Sequence, residues 1–540
     1  MPLTLTSLND DVLFSIVEML VPTWYFIRGY EVQKLLSLSA TCRQLRELLK
    51  PKIFENISWK YSPEEPLQEN APIPRGLWNV SRKFTLFCFC STAKLENKDR
   101  AVIVHNLSLS FPHMTRLQCV VFANAEVLDE PWPELMTLVS SSPTLSAVEF
   151  REFPWNLPRV KTADMYQQVV FPTGLRRFVF SKSPAYSVYP VGTHYFEVSC
   201  LPLDQSQKDY DQGYSLLWPV AHNSLWLEEL EMPGECSEFQ ELATYPWPWL
   251  RSLTLIGCPP LQTKFSQPLI SFLAMTPSLS YLKLRLARIR NEPEFLIWPP
   301  EYDHSATFPQ IKELIVSNPS ARDGVWSRLP RSLRRLALLC HPHNGFGLER
   351  WRELNTESIP ANQLLSILLQ CPMSDLTTLR ISFWAGSDDF TLLNHIPSAS
   401  PNLNILEIHR YQRIGSRPEE VTDPYLEPDN SLERLCITLS PLRRLRTLLL
   451  DLIFTDTPTY ADANPEHGDY DKMTAYYHKS SVRAEQIFTR LPWLKDIGFL
   501  HRDYHRARWL TFNATIDENG TVNVTFIPAS ANGRYNPVTD

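Results

Sequence analysis

The chain has little glycine and no large excess of either charge. Its 540 residues include 16 glycines, where an average composition would give roughly 38. Its formal net charge is −7 and its isoelectric point is about 6.0. Few glycines leave few loops in which the backbone can approach a phosphate closely, which disfavours nucleotide-dependent enzymes. The weakly acidic balance disfavours nucleic acid as a partner.

Common catalytic and cofactor signatures are also missing from the sequence. It contains no G-x-x-x-x-G-K-[ST] loop, no G-x-G-x-x-G turn, no G-x-S-x-G elbow, and no zinc spacing of the H-E-x-x-H or paired C-x-x-C kind. His341 and His343 have no neighbouring ligand set, and the segment from His501 to Tyr504 copies only a fragment of a kinase catalytic loop. We therefore expect a protein that is not an enzyme and binds no metal or cofactor.

Long apolar runs and a secretory signal are lacking as well. No window approaches 18 uninterrupted apolar residues, and Asp10, Asp11 and Glu18 interrupt the stretch that a signal peptide would keep apolar. The ten cysteines are scattered along the chain, and we expect them to be reduced thiols. These features predict a cytoplasmic or nuclear protein, or one present in both places, with no membrane partner.

The chain does contain one apolar triplet, L-x-x-L-x-L or a close variant, twelve times. The interval between triplets runs from 22 residues (Ile311 to Leu333) to 52 residues (Leu175 to Leu227). A recurrence near 20–30 residues with occasional insertions is typical of leucine-rich repeats. The triplets begin at Leu117, Leu145, Leu175, Leu227, Leu250, Leu279, Ile311, Leu333, Leu376, Leu403, Leu445 and Leu494.

Each triplet predicts a short strand whose first, fourth and sixth residues lie in the core. Helix-like runs that end at a proline precede several triplets, as in Pro268–Leu284 and Ala361–Ile381. Helix, proline and strand in series predict an irregular α/β solenoid of leucine-rich repeats. Alternating apolar residues around an Asn-Gly turn, from Trp509 to Ile527, predict a β-hairpin that closes the array.

The first sixty residues predict a separate all-α module. Residues 8–20 have the order L-x-D-D-V-L-x-x-I-x-x-x-L, with apolar residues on one helical face, and residues 35–51 read LLSLSATCRQLRELLKP. Pro51 is expected to end the second helix. One interpretation is an ordinary helical cap, because solenoids need a polar end.

These residues resemble the F-box, a short helical module that docks receptor proteins onto the Skp adaptor of SCF-type ubiquitin ligases. F-box followed by leucine-rich repeats is a recurring receptor layout, and the resemblance implies that the module contacts the adaptor. The adaptor-binding residues it implies are Leu8, Asp11, Val12, Leu13, Ile16, Leu20, Leu36, Leu38, Cys42, Arg43 and Leu45.

Four regions follow from these patterns. They are an F-box-like module (residues 1–60), a connector (61–104), a leucine-rich-repeat solenoid (105–508), and a capping hairpin with a tail (509–540). Insertions interrupt the solenoid near residues 181–224, 340–360 and 411–430. Insertions in solenoids often build the binding face. The first one is rich in tyrosine, which suits either a binding anchor or a loop pinned to the array.

Alternate strand positions should face away from the core and meet a target. The set carries both signs of charge, which favours a protein ligand over a polyanion. A solvated strand face without a ligand is the alternative at any single position. The target-binding residues predicted in this way are Glu149, Arg151, Glu229, Lys283, Arg285, Arg335, Arg380, Glu407 and His409.

By resemblance, the chain is expected to be the substrate receptor of a cullin-based ubiquitin ligase. Its partners would be the Skp adaptor, through it the cullin ligase, and an unknown target protein. Two alternatives remain. The first is a leucine-rich-repeat scaffold or binding protein without degradation activity. The second is a solenoid enzyme or inhibitor, for which a cluster of perturbed titratable groups in a pocket would be the sign.

Overall fold

The structure is a computed structural model, and it describes eighteen segments of the chain. These are residues 36–37, 39–41, 43–61, 73–88, 97–123, 137–153, 174–182, 220–234, 237–257, 259–260, 268–286, 293–302, 308–339, 359–411, 428–452, 470–502, 507–516 and 522–527. Among them, no helix is long and apolar enough to cross a membrane.

The chain divides into two compact units, and the first comprises Met1–Ser187 with Pro202–Met232. Six strands in this part of the chain pair in parallel, each with the next in sequence. Two helices, α1 (Arg43–Ile53) and α2 (Asn97–Ser110), accompany them. The strands are β1 (Asn56–Tyr61), β2 (Lys83–Cys88), β3 (Cys119–Ala123), β4 (Ala147–Phe153), β5 (Arg177–Lys182) and β6 (Glu229–Pro233).

The second unit comprises Val188–Leu201 with Pro233–Asp540. Strands β7 to β14 run parallel, and β15 and β16 follow as an antiparallel hairpin, as the Asn-Gly turn predicted. The strands are β7 (Ser252–Gly257), β8 (Tyr281–Leu286), β9 (Glu313–Ser317), β10 (Arg335–Leu339), β11 (Thr378–Trp384), β12 (Ile405–Tyr411), β13 (Thr447–Leu452), β14 (Asp496–Arg502), β15 (Ala507–Ile516) and β16 (Val522–Ile527).

Helices precede β7, β8 and each strand from β11 to β14. Each of the last four helices contacts the next in sequence order, and the last also contacts β15 and β16. Apolar residues on one face of the longer helices, such as Leu364 and Ile367, are buried. The helices are α3 (Phe239–Leu242), α4 (Leu269–Leu273), α5 (Ala361–Gln370), α6 (Asp389–Ala399), α7 (Pro428–Leu439) and α8 (Tyr470–Arg490).

All twelve triplets form strands, β3 to β14 in order. The first, fourth and sixth residues of every triplet are at most 6% exposed, from Leu117, Val120 and Phe122 in β3 onwards. One fully buried leucine side chain contributes roughly 1.5–3 kcal/mol of hydrophobic free energy. The repeated leucines therefore form the core, and the α/β leucine-rich-repeat fold is confirmed by these buried triplets.

Two strands, β1 and β2, precede the first triplet and were not predicted. In β2 the triplet begins with Ser81, followed by Phe84 and Leu86, and all three are buried. The Ser81 hydroxyl donates to the carbonyl oxygens of Phe54 and Leu77, each at 3.0 Å. A serine can occupy the leucine position because those carbonyl oxygens accept a hydrogen bond from its hydroxyl. The first residue of the triplet is therefore polar, and the apolar pattern is incomplete in the sequence.

The sequence predicted that the second helix ends at Pro51, but helix α1 extends beyond that residue. A turn at Ala40 and Thr41 separates it from the short helical stretch before it, and the helix continues through Pro51 to Ile53. Proline removes one backbone donor near the helix end. Burial of Leu45, Leu49 and Ile53 on one face holds the last turn in place.

A shared carbonyl oxygen joins successive repeats at the start of each strand. The Arg446 carbonyl accepts from the backbone N–H groups of Lys495 (2.8 Å) and Asp496 (3.0 Å). The Asn404 carbonyl accepts in the same way from Arg446 and Thr447. This arrangement recurs from β1 to β6 and from β7 to β14. It uses both lone pairs of one carbonyl, so the repeats are joined through backbone atoms.

Candidate functional site

The two faces of each sheet carry different side chains because strand residues alternate. We call the face with the buried triplets the leucine face, and the other one the opposite face. In the second unit, strand pairing aligns Arg380 with Glu407 and His409 with Asp451 on the opposite face. Period-two alternation therefore brings four charged residues of β11, β12 and β13 together.

These four residues form one network, and three of them are buried. Arg380 donates twice to Glu407, from Nε to Oε2 at 2.8 Å and from Nη2 to Oε1 at 3.2 Å. His409 contacts Glu407 Oε1 through Nε2 at 2.6 Å and Asp451 Oδ2 through Nδ1 at 3.0 Å. Glu407, His409 and Asp451 are each at most 5% exposed. Two cations and two anions are thus paired, and all but Arg380, whose side chain is 17% exposed, lie away from water.

The paired charges change the pKa values of the network in opposite directions. Burial opposes protonation of His409, but its hydrogen bonds to Asp451 and Glu407 raise the pKa from 6.5 to about 9. Burial alone would raise the pKa of the Glu407 carboxyl, but the hydrogen bond from His409 and the charge of Arg380 lower it below its usual value. At neutral pH the imidazole is therefore protonated and both of its nitrogens donate.

This geometry links strands and offers no catalytic group. A general base needs a free imidazole nitrogen near neutral pH, and His409 uses both nitrogens on carboxylates. Because the imidazole lies between the two carboxylates, the three groups do not converge on one point. Among the described residues, no group of three His, Cys, Asp or Glu side chains is arranged to hold a metal ion.

Trp509 of the closing hairpin packs against the network. Its ring centre lies 5.8 Å from that of His409, and it shares a buried cluster with Leu449 and Leu500. Gly498 provides the necessary space, because a Cβ there would lie 2.6 Å from Leu449 Cδ2 and 3.3 Å from Trp509 Cε3. The hairpin therefore covers part of the opposite face of the last repeats.

A second charged cluster lies on the opposite face of the first unit, around Glu149. Arg151 Nη2 lies 2.7 Å from Glu149 Oε2, and Arg177 Nη1 lies 3.2 Å from Oε1. Arg177 Nε also lies 3.1 Å from Glu229 Oε2. Burial, together with the nearby Glu149 carboxylate, raises the pKa of the Cys119 thiol to about 11. The thiol is therefore protonated at neutral pH, and a reactive cysteine is not expected there.

The predicted target-binding residues divide by exposure. All nine lie on the opposite face, at alternate strand positions as predicted. Glu149, Glu407 and His409 are buried and bonded to neighbouring side chains. Their burial could not be predicted, because it depends on residues of other strands and, for His409, on Trp509. The exposed or half-exposed members are Arg151, Glu229, Lys283, Arg285, Arg335 and Arg380.

Most of the predicted adaptor-binding residues lie outside the described residues. Leu36 is 39% exposed, Leu45 is buried, and Arg43 is exposed at the start of α1. Their role in adaptor binding stays a prediction. Those outside the described residues are Leu8, Asp11, Val12, Leu13, Ile16, Leu20, Leu38 and Cys42.

Comparison with solved structures finds other leucine-rich-repeat proteins. One is LegL7 from Legionella pneumophila, at 13% identity over 67% of this chain and 97% of that chain, with a TM-score of 0.32. Another is TLR13 in a complex with ssRNA13, at 12% identity over 75% of this chain and 59% of that chain, with a TM-score of 0.25. At these values the similarities add nothing to the fold that the buried triplets show. No protein-family model and no curated protein matches the chain.

Proposed function

We propose that the chain is the substrate-recognition subunit of a cullin-based, SCF-type ubiquitin ligase. The observation that carries the proposal is the F-box-like order of residues 8–51, followed directly by a leucine-rich-repeat array. The N-terminal module binds the Skp adaptor and the array binds a target protein. A ubiquitin ligase receptor of this kind works in the cytoplasm or the nucleus.

The junction between module and array supports this assignment. Helix α1 ends at Ile53, and β1 begins at Asn56, with only two residues between them. Leu45, Leu49 and Ile53 are buried, whereas Leu36 is 39% exposed. The described part of the module therefore has an apolar face packed into the fold.

The mechanism is proximity. An adaptor at one end and a target on the array raise the effective concentration of the target's lysines near a ubiquitin-conjugating enzyme. The chain contributes orientation and makes no bond itself. The paired charges of the Glu407–His409 network suit this role, because they hold neighbouring repeats in fixed register without exposing a reactive group.

A pull-down with purified Skp adaptor tests the proposal. The double variant Leu13→Asp/Ile16→Asp places two charges on the apolar face of the first predicted helix and should abolish adaptor binding, because buried carboxylates are costly. Thr6→Asp/Ser15→Asp adds the same charge at polar positions and should still bind. Circular dichroism checks that both variants keep the array. Failure of the unaltered chain to bind the adaptor would reduce the module to a helical cap.

The second candidate is a repeat scaffold that binds the adaptor without degrading a target. The mixed charges of the opposite face favour a scaffold as much as a receptor for degradation, because they indicate protein binding and not its consequence. Comparing protein levels with and without the chain separates the two functions. If the chain is a receptor for degradation, at least one protein that binds the array should accumulate when the chain is removed. If the chain is a scaffold, no such protein should accumulate.

A further inference from the structure

Arg443 and Arg446 contact Trp493 in the turns before β13 and β14, and Lys495 follows Trp493 by two residues. The guanidinium carbon of Arg443 lies 4.1 Å from the centre of the Trp493 ring. Arg446 Nη1 donates to the Trp493 carbonyl oxygen at 2.7 Å. The backbone N–H of Lys495, two residues further on, donates to the Arg446 carbonyl. We call Arg443, Arg446 and Lys495 the basic patch, and all three side chains are exposed.

An earlier repeat has the same arrangement with its charge neutralised. Arg334 occupies the position of Arg446, and its Nη1 donates to the Asp375 carbonyl oxygen at 2.9 Å. The same guanidinium nitrogen lies 3.6 Å from the Asp375 carboxylate. Asp375 and Trp493 each immediately precede the first leucine of a triplet. Where the earlier repeat has a carboxylate, the later one therefore has an indole.

The basic patch has no such compensation. Within the segments that the structure describes, no carboxylate is ion-paired with Arg443, Arg446 or Lys495. Asp496, the adjacent acid, accepts a hydrogen bond from the Thr447 hydroxyl at 3.3 Å. The adjacent Arg444 adds a fourth exposed cation, and among the described residues its guanidinium donates to the neutral Asn402, at 2.7 Å. This local positive charge stands out in a chain whose net charge is −7.

We propose that the basic patch docks an anionic peptide segment of a protein partner. Guanidinium groups bind carboxylate and phosphate with two parallel hydrogen bonds, and stacking on Trp493 fixes the orientation of Arg443 before binding. An acidic side chain and a phosphorylated one share this anionic chemistry. This docking site rests on the proposed function in one respect, that the array is a protein-binding surface. It does not depend on binding of the Skp adaptor.

Fluorescence anisotropy with labelled peptides and the full-length chain tests the docking site. The probes are a glutamate-rich peptide, the same peptide with phosphoserine in place of glutamate, a glutamine version, and single-stranded RNA. The variant Arg443→Gln/Arg446→Gln/Lys495→Gln removes the patch. Arg334→Gln is the matched control, because it removes an arginine at the equivalent position that is already paired.

We expect an anionic peptide to bind in a salt-dependent manner, and the triple variant to weaken that binding about tenfold. The glutamine peptide should not bind, and Arg334→Gln should have no effect. Comparing glutamate with phosphoserine identifies the source of the anion. The proposal would be overturned if the triple variant bound the anionic peptides as tightly as the unaltered chain, or if Arg334→Gln lost as much affinity as the triple variant. It would also be overturned if neither anionic peptide bound, or if only the RNA bound. The triple variant should still bind the Skp adaptor, so loss of peptide binding is distinguishable from failure of the adaptor assignment.

Discussion

At the scale of single residues, His409 lies between Glu407 on its own strand and Asp451 on the next one. Such a histidine stabilises the fold only while it is charged, because the neutral ring can donate to just one of the two carboxylates. Arg380 extends the same chain of contacts to a third strand. The network therefore makes the stability of the contacts among β11, β12 and β13 depend on pH.

This dependence has a definite sign. The pKa of His409 is about 9 in the folded chain and 6.5 for the free side chain. Its stabilisation, about 3 kcal/mol, is thus fully present below pH 6.5 and is lost as the pH rises through 9. We expect the melting temperature to fall across this range. The variant His409→Gln should melt lower at pH 6.5 and respond less to pH.

The control for this experiment is His478→Gln, which removes an exposed histidine of α8 in the same unit. Differential scanning fluorimetry from pH 6.5 to just above pH 9 measures both variants. A melting profile of His409→Gln parallel to that of the unaltered chain would show that the network does not remain charged in the folded state.

At the scale of elements, the strands were easier to predict than the surfaces between them. The apolar triplet appears in the sequence because each leucine packs within its own repeat, so β3 to β14 could be placed from local pattern alone. The strand β2 was missed because Ser81 replaces the leucine. The burial of Glu407 and His409 depends on Arg380, Asp451 and Trp509, of which even Arg380 lies 27 residues from Glu407 along the chain. Periodicity within one strand contains no information about such contacts.

The packing of the closing hairpin depends on Gly498. A methyl group there would contact Leu449 and Trp509 within 3.3 Å, so Gly498→Ala should destabilise the second unit by about 1–3 kcal/mol. Gly386→Ala is the control, because a Cβ at that position meets nothing within 4 Å. Chemical denaturation measures both variants.

A double variant tests whether the contact with Leu449 causes this loss. Leu449→Ala removes the atom that the new methyl group would meet. Gly498→Ala/Leu449→Ala should therefore lose less stability than the two single variants together. Strictly additive losses would place the effect of Gly498→Ala in the contact with Trp509 or in the backbone instead.

At the scale of the whole molecule, each repeat contacts chiefly its neighbours, so stability is local. The contacts among α5 to α8 follow sequence order, as do those among the strands. Damage to one repeat should therefore spread to adjacent repeats and weaken with distance along the array.

Leu406→Ala tests this locality. Leu406 is fully buried in β12, and its truncation should cost about 2–5 kcal/mol. Hydrogen exchange followed by mass spectrometry should show loss of protection in β11, β12 and β13, with little change in β1 to β6. Leu369→Ala, which shortens a side chain that is 63% exposed, is the control. A uniform loss of protection throughout the chain would mean that the array unfolds as a single cooperative unit.

The shared carbonyl oxygen at each strand start has a consequence for how this chain can vary. The turn before a strand must present one carbonyl and two successive N–H groups at a fixed spacing, whatever its side chains are. One added residue there would shift the pairing and turn the leucines to the wrong face. Among the described residues, the doubly bonded carbonyl recurs at strand starts, whereas long connections follow strand ends, as from Leu339 to Ile359 and from Leu452 to Tyr470. Length can therefore change on one side of the array and is fixed on the other, so new binding loops can be added without changing the repeats that support them.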